Sequence, residues 1–225
     1  GNSDVISHTD ISGINLQKYD KIFVSAFDPN RKKNVLPKNP LLEFLCNHVT
    51  NYQEITYFSS ARVLEAKQSD DHKAYVTNKI YDVEYLLKKV RNLKIIYLPI
   101  IAPMDVSDSS RFFKLIFNNF LAGYMKFDVS QDSSWNIVTA KDVIDISNNL
   151  LNKNGRYYIC SKTPLLLSVL QRYFLSIDPS LILEYRGKTR HYPDRVNVVK
   201  IQTETDLGQD LNWLNQLRIR HLNEK

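Results

Sequence analysis

Short apolar runs alternate with segments of helical spacing along the first hundred residues, and this alternation constrains the fold more than any other feature. Three runs, at residues 21–26, 55–59 and 93–98, are nearly continuous in apolar residues. Segments at 41–49 and 74–90 lie between them and repeat apolar residues at helical spacing. Strands buried on both faces have such runs, and parallel strands need a crossover that usually carries a helix. The pattern predicts a mainly parallel sheet with helices on both faces.

The second half of the chain continues the alternation with less regularity. Its spacing predicts further helices at residues 112–122, 142–151, 165–174 and 207–222, and further strands at 156–160 and 196–201. We therefore expect an α/β protein whose main domain, with the parallel sheet, covers residues 1–160. A smaller C-terminal lobe should follow over residues 161–225, with residues 112–145 contributing to it in part.

The composition is that of a packed globular protein. Hydrophobic residues make up 43% of the 225 residues, and glycine and proline together number only 14 (6 and 8), too few for a disordered chain. The longest apolar stretch, residues 95–104, is interrupted by prolines and falls short of the roughly 20 residues that span a bilayer. We expect a soluble protein without a membrane segment.

The net charge of +6 does not by itself indicate a nucleic-acid partner. Lysine and arginine are spread along the chain and mixed with 24 acidic residues, so a solvated surface explains them better than a nucleic-acid-binding stripe. Alternatively, two small clusters could contact the phosphates of a dinucleotide or a nucleotide-sugar. These clusters are Arg31, Lys32 and Lys33, and Lys188, Arg190 and Arg195.

The cysteines and histidines do not indicate a metal site. Cys46 and Cys160 are too far apart for a CxxC or zinc motif, and they are expected to be reduced, buried thiols of a cytoplasmic protein. The five histidines show no HExxH or paired spacing. No metal is therefore predicted.

The informative spacing joins Ser60, at the end of a predicted strand, to Tyr75 and Lys79 at the start of the next predicted helix. Residues four apart share one helix face, so the Tyr75 hydroxyl and the Lys79 ammonium would point at the same volume. Ser60 would face that volume from the carboxyl end of the neighbouring strand, where α/β sheets bind ligands. Because a nearby ammonium favours the phenolate, the trio suits proton transfer by Tyr75 during hydride exchange with a nicotinamide cofactor at a carbon that bears oxygen.

The YxxxK spacing alone is weak evidence, because the chain contains it three times. The pairs at 85/89 and 158/162 have the same spacing as Tyr75 and Lys79. Only Tyr75 follows a predicted strand that ends in serines and lies at the start of a predicted helix. The alternative for Tyr75 is a surface tyrosine on an amphipathic helix, with a solvated lysine beside it.

Several segments, in the same order along the chain, resemble the extended short-chain dehydrogenase/reductase superfamily. TYFSSARVLEA at 56–66 is similar to the strand-and-serine signature of that family, and YVTNK at 75–79 is similar to its catalytic helix. Four other segments resemble strands or returning segments of the family: KYDKIFVSAFDP at 18–29, LKIIYLPIIAP at 93–103, WNIVTAKDVID at 135–145 and GRYYICS at 155–161.

The resemblance implies a fold, a function and a set of site residues. The fold would be a Rossmann-like mainly parallel sheet with helices on both faces and a small C-terminal substrate lobe. Ser60, Tyr75 and Lys79 would be catalytic, and the cofactor, NAD or NADP, would lie along Ser25, Ala26, Ser59, Tyr75, Lys79 and Pro99. The substrate would be a nucleotide-activated sugar bound partly by the C-terminal lobe. The activity would be that of an epimerase, dehydratase or reductase, as in polysaccharide biosynthesis, and the family resemblance also allows a homodimer.

The glycine-rich phosphate motif of a dinucleotide fold is missing from this sequence. None of the six glycines forms GxGxxG or GxxGxxG, which lets the backbone approach a pyrophosphate. Residues 5–8 instead resemble the second strand of the family, so we expect the first strand and helix to be absent from the sequence given. The alternative is a non-catalytic relative that keeps the fold to bind a partner or to sense a dinucleotide.

Overall fold

The computed structural model describes residues 13–25, 31, 34–64, 73–102, 111–150, 153–189, 197–207 and 211–223. The chain divides into two compact units. Unit 1 comprises Gly1–Tyr97 and Leu151–Tyr157, and unit 2 comprises Leu98–Leu150 and Tyr158–Lys225.

The described helices and strands alternate along the chain. The strands are β1 (Lys21–Val24), β2 (Glu54–Ser60), β3 (Leu93–Leu98), β4 (Ile100–Ala102), β5 (Tyr124–Phe127), β6 (Ser134–Trp135), β7 (Ile137–Thr139), β8 (Gly155–Cys160), β9 (Leu165–Leu166), β10 (Ile182–Tyr185) and β11 (Val199–Gln202). The α-helices are α1 (Pro40–His48), α2 (Lys73–Lys89), α3 (Arg111–Leu121), α4 (Ala140–Asp145), α5 (Leu167–Ile177) and α6 (Asn212–Asn223). A 3-10 helix, Ala61–Leu64, follows β2, and a π-helix, Ile146–Leu150, follows α4.

The main sheet has five strands in the order β1-β2-β3-β8-β11, and it is mainly parallel with helices around it. This confirms the Rossmann-like α/β prediction. The strands β1 and β2 are parallel, with Val24 opposite Tyr57. Ser25 and the last residues of β2 therefore lie at the same carboxyl edge, where open α/β sheets bind ligands.

The buried face of α2 is unusual because it mixes apolar and polar side chains. Val76, Val83 and Leu86 are buried at helical spacing, as in any helix that packs on a sheet. Asn78, Lys79 and Asp82 are also buried on this helix. Since a buried polar group costs free energy unless it is hydrogen-bonded, these three residues need partners inside unit 1.

Unit 2 has an aromatic core built mainly from α3 and α5. Phe117 and Phe120 of α3 contact Phe174 of α5, with ring centroids 6.4 Å and 4.9 Å apart. The described part of this unit also contains three two-stranded sheets: β4 with β7 and β5 with β10 are parallel, and β6 with β9 is antiparallel. The periodicity of the sequence did not predict the strands of these three sheets, because strands of two to four residues are too short to show a period.

Three predicted helices of unit 2 differ from those observed. The helix predicted to begin at residue 165 begins at Leu167, because Leu165 pairs with Trp135 in an antiparallel bridge. The helix predicted at 142–151 is observed as α4 followed by the π-helix Ile146–Leu150, and the helix predicted at 207–222 is observed as Asn212–Asn223. At Leu165 a partner distant in sequence takes the backbone away from the local pattern.

The two cysteines are free thiols, of which Cys160 is buried and Cys46 is half-buried. The prediction of buried thiols is therefore right for Cys160 and only partly right for Cys46. Within the described ranges, no helix is both long and apolar enough to cross a bilayer.

Candidate active site

The hydroxyls of Ser60 and Tyr75 are hydrogen-bonded to each other. Ser60 is the last residue of β2, and Tyr75 lies in the first turn of α2. The Arg62 amide donates to Ser60 Oγ at 3.3 Å, which leaves the Ser60 proton for the Tyr75 oxygen. The structure thus brings together two of the three predicted catalytic residues at the carboxyl edge of the sheet.

The environment of Tyr75 has opposing effects on its ionisation. Burial raises the pKa of the Tyr75 phenol above its ordinary value, because desolvation disfavours the phenolate. The hydrogen bond from Ser60 and the positive charge of Arg62 lower that pKa in part. In the sequence, Lys79 was expected to favour the phenolate; here Ser60 and Arg62 do so.

Lys79 is buried, with 4% of its surface exposed, against the end of β2. Its Nζ donates to the Tyr57 hydroxyl at 3.0 Å and to the Phe58 carbonyl at 3.4 Å, and lies 4.8 Å from the centroid of the Tyr57 ring. Burial lowers the pKa of Lys79 to about 8; Asp82 opposes this effect and Arg31 adds to it. The third predicted catalytic residue therefore shares the helix with Tyr75, and its ammonium is anchored to β2.

Asp82 is the centre of a buried polar network next to Lys79. It accepts two hydrogen bonds from Arg31 Nη1, at 2.8 Å and 2.9 Å, and one from the Tyr57 hydroxyl at 2.8 Å. Asn39 also donates to it at 3.2 Å. Both members of the Arg31–Asp82 ion pair are almost fully buried. Removing either partner would leave an uncompensated charge in the interior, so each residue needs the other in order to stay buried.

Asn78 holds the chain segment that carries Arg31 against α2. Its amide nitrogen donates to the Arg31 and Asn34 carbonyls at 2.6 Å and 2.7 Å. Its Oδ1 accepts from the Leu36 amide at 2.7 Å. The Asn78 side chain is thus satisfied by backbone groups far away in sequence, and this fixes the position of Arg31 relative to Asp82.

Arg31 is not available to bind a phosphate, contrary to one alternative from the sequence. Only 1% of its surface is exposed, and its guanidinium is bound to Asp82 and to the Leu36 carbonyl. The prediction failed because a cluster of basic residues says nothing about which of them has a buried acid partner. Lys188 is exposed, and the other members of the two clusters, Lys32, Lys33, Arg190 and Arg195, lie outside the described residues.

Two buried polar atoms near the trio have no hydrogen-bond partner in the described part of the chain. They are Ser59 Oγ and Arg62 Nη1. A buried donor without a partner is rare in a folded protein and calls for a missing ligand or water. Ser59 was predicted to bind the cofactor. It lies in the chain between Ser60 and Phe58, whose carbonyl accepts a hydrogen bond from Lys79.

The other predicted cofactor residues have less specific surroundings. Ser25 is exposed immediately after β1, and Pro99 is half-buried between β3 and β4. Ala26 lies outside the described residues. Ser25 thus lies at the same sheet edge as Ser59 and Ser60, whereas Pro99 belongs to unit 2.

The two other YxxxK pairs have no comparable setting. Tyr158 lies in β8 and Lys162 follows that strand, so they do not share a helix face. Tyr85 is on α2, where its surroundings include Cys46 and Glu43, and Lys89 is exposed at the end of the helix. Only Tyr75 is hydrogen-bonded to the serine that ends β2.

No protein-family model and no curated protein sequence matches the chain. Solved structures, in contrast, match most of the chain. An ADP-L-glycero-D-manno-heptose-6-epimerase from Helicobacter pylori is 13% identical, with 96% of this chain and 77% of that chain covered and a TM-score of 0.60. RMD from Pseudomonas aeruginosa, complexed with NADPH, is 13% identical over 93% and 86%, with a TM-score of 0.61. A UDP-glucuronic acid 4-epimerase from Bacillus cereus, in complex with NAD, is 14% identical over 92% and 79%, with a TM-score of 0.58.

This chain has the Rossmann-like fold of these solved structures. At such identities the likeness establishes the architecture, and it confirms the fold expected from the order of the six segments in the sequence. The roles of individual residues depend on the geometry of the site.

Sequence reasoning missed Tyr57, Asp82 and Arg62 as parts of the site. The signal for Asp82 was its position three residues after Lys79, on a helix face that also carries Val76, Val83 and Leu86. Tyr57 looked like one more apolar residue of a buried strand. Arg62 directly follows Ser60 and Ala61, but its relation to Tyr75 depends on the turn of 3-10 helix at Ala61–Leu64.

Proposed function

We propose that this protein is an NAD(P)-dependent enzyme that transfers hydride at a carbon–oxygen centre of a nucleotide-activated sugar. The observation that carries the proposal is the hydrogen bond between Ser60 and Tyr75 at the carboxyl edge of a mainly parallel sheet. Two hydroxyls in contact, of which one is a phenol near a guanidinium, suit proton exchange with a substrate hydroxyl or carbonyl. The nicotinamide, when bound, would supply or accept the hydride.

Each residue of the site has a distinct role in this proposal. Ser60 would hydrogen-bond the substrate oxygen, and Tyr75 would give it or take from it a proton. Because burial raises the pKa of Tyr75, the free phenol is protonated near neutral pH and is ready to donate. The Ser60 hydrogen bond and the Arg62 charge would stabilise the phenolate when the proton leaves.

The cofactor would lie along the carboxyl edge of β1 and β2. Ser59 Oγ is buried there without a hydrogen-bond partner among the described residues, so a bound group could satisfy it. Ser25 lies at the same edge, and the family resemblance adds Ala26 and Pro99. Lys79 would hold a ribose hydroxyl, as the family resemblance implies, from the end of β2, where its ammonium is anchored to the Tyr57 hydroxyl and the Phe58 carbonyl.

The substrate class rests on the structural relatives. The Helicobacter pylori and Bacillus cereus proteins are epimerases of ADP- and UDP-linked sugars. We propose that this chain also binds a nucleotide-sugar and acts on it as an epimerase, a dehydratase or a reductase. We further propose that residues 161–225, with part of 112–145, bind the sugar.

The test is a comparison of two tyrosine variants of the full chain. NADH and NADPH binding would be titrated by fluorescence. Hydride transfer would be followed by nicotinamide absorbance with UDP-glucose, UDP-glucuronic acid and an ADP-heptose. Tyr75→Phe should leave cofactor affinity nearly unchanged and lower hydride transfer by roughly 10²- to 10⁴-fold. Tyr85→Phe has the same YxxxK spacing and should behave like the wild type; equal rates for the two variants would refute the assignment.

A non-catalytic binding protein is the second candidate. It is favoured by one observation, that none of the six glycines of this sequence has GxGxxG spacing. Calorimetric titration separates the two candidates. NADH binding without hydride transfer from any of the three sugars to NAD or NADP supports the binding protein, and transfer that depends on Tyr75 supports the enzyme.

A further inference from the structure

The buried polar face of α2 connects Lys79 to a charge network that the hydride-transfer chemistry does not itself require. Lys79 Nζ, the Tyr57 hydroxyl, the Asp82 carboxylate and the Arg31 guanidinium form one continuous chain of hydrogen bonds, with distances of 3.0, 2.8 and 2.8 Å. All four residues are at most 4% exposed. Hydrogen bonds are strong in such a buried setting. One end of this network is the lysine of the proposed site, and the other is Arg31, whose Nε has no partner among the described residues.

The direction of each hydrogen bond in this chain is fixed by chemistry. An ammonium can only donate and a carboxylate can only accept. The Tyr57 hydroxyl therefore accepts from Lys79 and donates to Asp82, which makes it a one-way link between the cation and the anion. If Lys79 lost its proton, Tyr57 would still donate to Asp82, but the hydrogen bond from Lys79 would lose its charge assistance.

We propose that Tyr57 and Asp82 are positioning residues for Lys79. The two residues hold the Lys79 ammonium toward the cofactor site and favour its charged form. The positive charge of Arg31 opposes the effect of Asp82. This inference rests on the proposed function, because the charge of Lys79 affects activity only if this lysine holds the cofactor. It concerns residues that touch neither the substrate nor the cofactor in the proposal above.

The charges around Lys79 act in opposite directions. Burial disfavours its ammonium, Asp82 on the same helix favours it, and Arg31 beside Asp82 disfavours it, so that the pKa of Lys79 is lowered to about 8. Tyr57 on β2 is neutral at this pH, since burial and Asp82 raise its own pKa. Tyr75, one turn earlier on α2, also has a raised pKa, and Arg62 acts on that tyrosine. Asp82 is thus the nearby charge that favours the lysine cation.

The direct test is the titration of Lys79 in the full-length chain. Carbon-13-labelled lysine allows each side chain to be followed by NMR between about pH 6 and pH 11. Lys79→Met identifies the resonance by its loss. In the wild type the Lys79 midpoint should lie at about 8. Asp82→Asn and Tyr57→Phe should both move it to lower pH, because the first removes the anion and the second removes the acceptor that links the ammonium to it.

A matched control is available elsewhere in unit 1. Glu54 accepts from the buried Lys94 at 2.7 Å, so that Glu54→Gln also removes an acid paired with a buried lysine. Glu54→Gln should leave the Lys79 midpoint where it is. Tyr57→Phe keeps the ring and therefore provides an answer even if Asp82→Asn fails to fold. An unchanged Lys79 midpoint in folded Tyr57→Phe, or an equal shift in Glu54→Gln, overturns the proposal.

A second measurement separates this inference from the proposed function. NADH affinity, measured by fluorescence, should weaken with rising pH as Lys79 loses its proton. In Tyr57→Phe the decline should begin at lower pH, with binding roughly three- to tenfold weaker than wild type at pH 8. If Tyr75→Phe keeps full hydride transfer, the proposed function fails whatever the titration shows. If the midpoint shifts but NADH affinity does not follow, Lys79 has no role in holding the cofactor, and the positioning role fails.

Discussion

The Lys79 ammonium donates a hydrogen bond to the Tyr57 hydroxyl at 3.0 Å, in a part of unit 1 where both side chains are buried. A lysine in this position destabilises the fold, because folding must remove its charge from water. Asp82 offsets only part of this, as the lowered pKa of Lys79 indicates. Stability and the proposed activity should therefore depend on Lys79 in opposite directions.

Lys79→Met should stabilise the protein at neutral pH. The pKa of Lys79 is about 8 in the folded chain and ordinarily 10.5, so below pH 8 the fold bears the full cost of the charge, about 3 kcal/mol. Between these two values the unfolded chain binds more protons, and wild-type stability rises with pH. The gain in unfolding free energy of Lys79→Met, measured by urea denaturation, should be largest at pH 7 and shrink toward pH 10.5.

The control for this prediction is Lys94→Met, which removes the other buried lysine among the described residues of unit 1. Lys94 is bound directly to Glu54 at 2.7 Å, so its loss leaves the partly buried carboxylate with the more distant, exposed Lys21, at 3.9 Å. Lys94→Met should destabilise the protein at pH 7. If Lys79→Met lowers the unfolding free energy as much as Lys94→Met does, burial of the Lys79 charge does not destabilise the fold, and the prediction is wrong.

Ser59→Ala should affect ligand binding more than stability. Ser59 Oγ has no hydrogen-bond partner in the described part of the chain, so its removal should change the unfolding free energy by less than about 1 kcal/mol. If Ser59 contacts the cofactor, NADH affinity should fall roughly 5- to 20-fold, the worth of one hydrogen bond. Ser147→Ala is the control, because its buried Oγ already donates to the Val143 carbonyl at 2.6 Å. Equal NADH affinities in the two variants would exclude Ser59 from the cofactor site.

Arg62→Gln should move the pH dependence of hydride transfer to higher pH. The Arg62 charge lowers the pKa of Tyr75, so its removal lets that pKa rise further. In the direction of sugar oxidation, where Tyr75 must accept a proton, we expect a rate roughly three- to tenfold lower at pH 7, with recovery at alkaline pH. Arg62→Lys keeps the charge and should restore most of the wild-type profile. A profile of Arg62→Gln that coincides with the wild type would contradict this role.

The Arg31–Asp82 pair should show strong coupling in a double-mutant cycle. Arg31→Met leaves Asp82 as an unpaired buried anion, and each single substitution should cost about 3–5 kcal/mol of unfolding free energy. Arg31→Met combined with Asp82→Asn should cost clearly less than the sum. The exposed Lys141–Asp145 pair on α4, with an Nζ to Oδ2 distance of 2.7 Å, is the comparison, and it should show little coupling. Additive effects of Arg31→Met and Asp82→Asn would mean that the two residues stabilise the fold independently.

The sequence by itself determined the main sheet, the position of Ser60 at the end of β2, and the position of Tyr75 and Lys79 on α2. Buried parallel strands must be apolar on both faces, and their crossover helices must repeat apolar residues every 3.6 positions, so both elements are visible locally. The strand predicted at 55–59 is observed as Glu54–Ser60, and the helix predicted at 74–90 as Lys73–Lys89. The catalytic roles of the three residues stay a prediction.

Only the tertiary structure decided which polar residues are buried together. Nothing in the local pattern pairs Arg31 with Asp82, 51 positions later, or directs Lys79 to Tyr57. The short strands of unit 2 were equally invisible, since their pairing depends on partners such as Leu165 for Trp135. The physical reason is common to both cases. Local sequence fixes backbone periodicity, whereas the satisfaction of buried charges and unpaired backbone groups depends on residues that only folding brings within hydrogen-bonding distance.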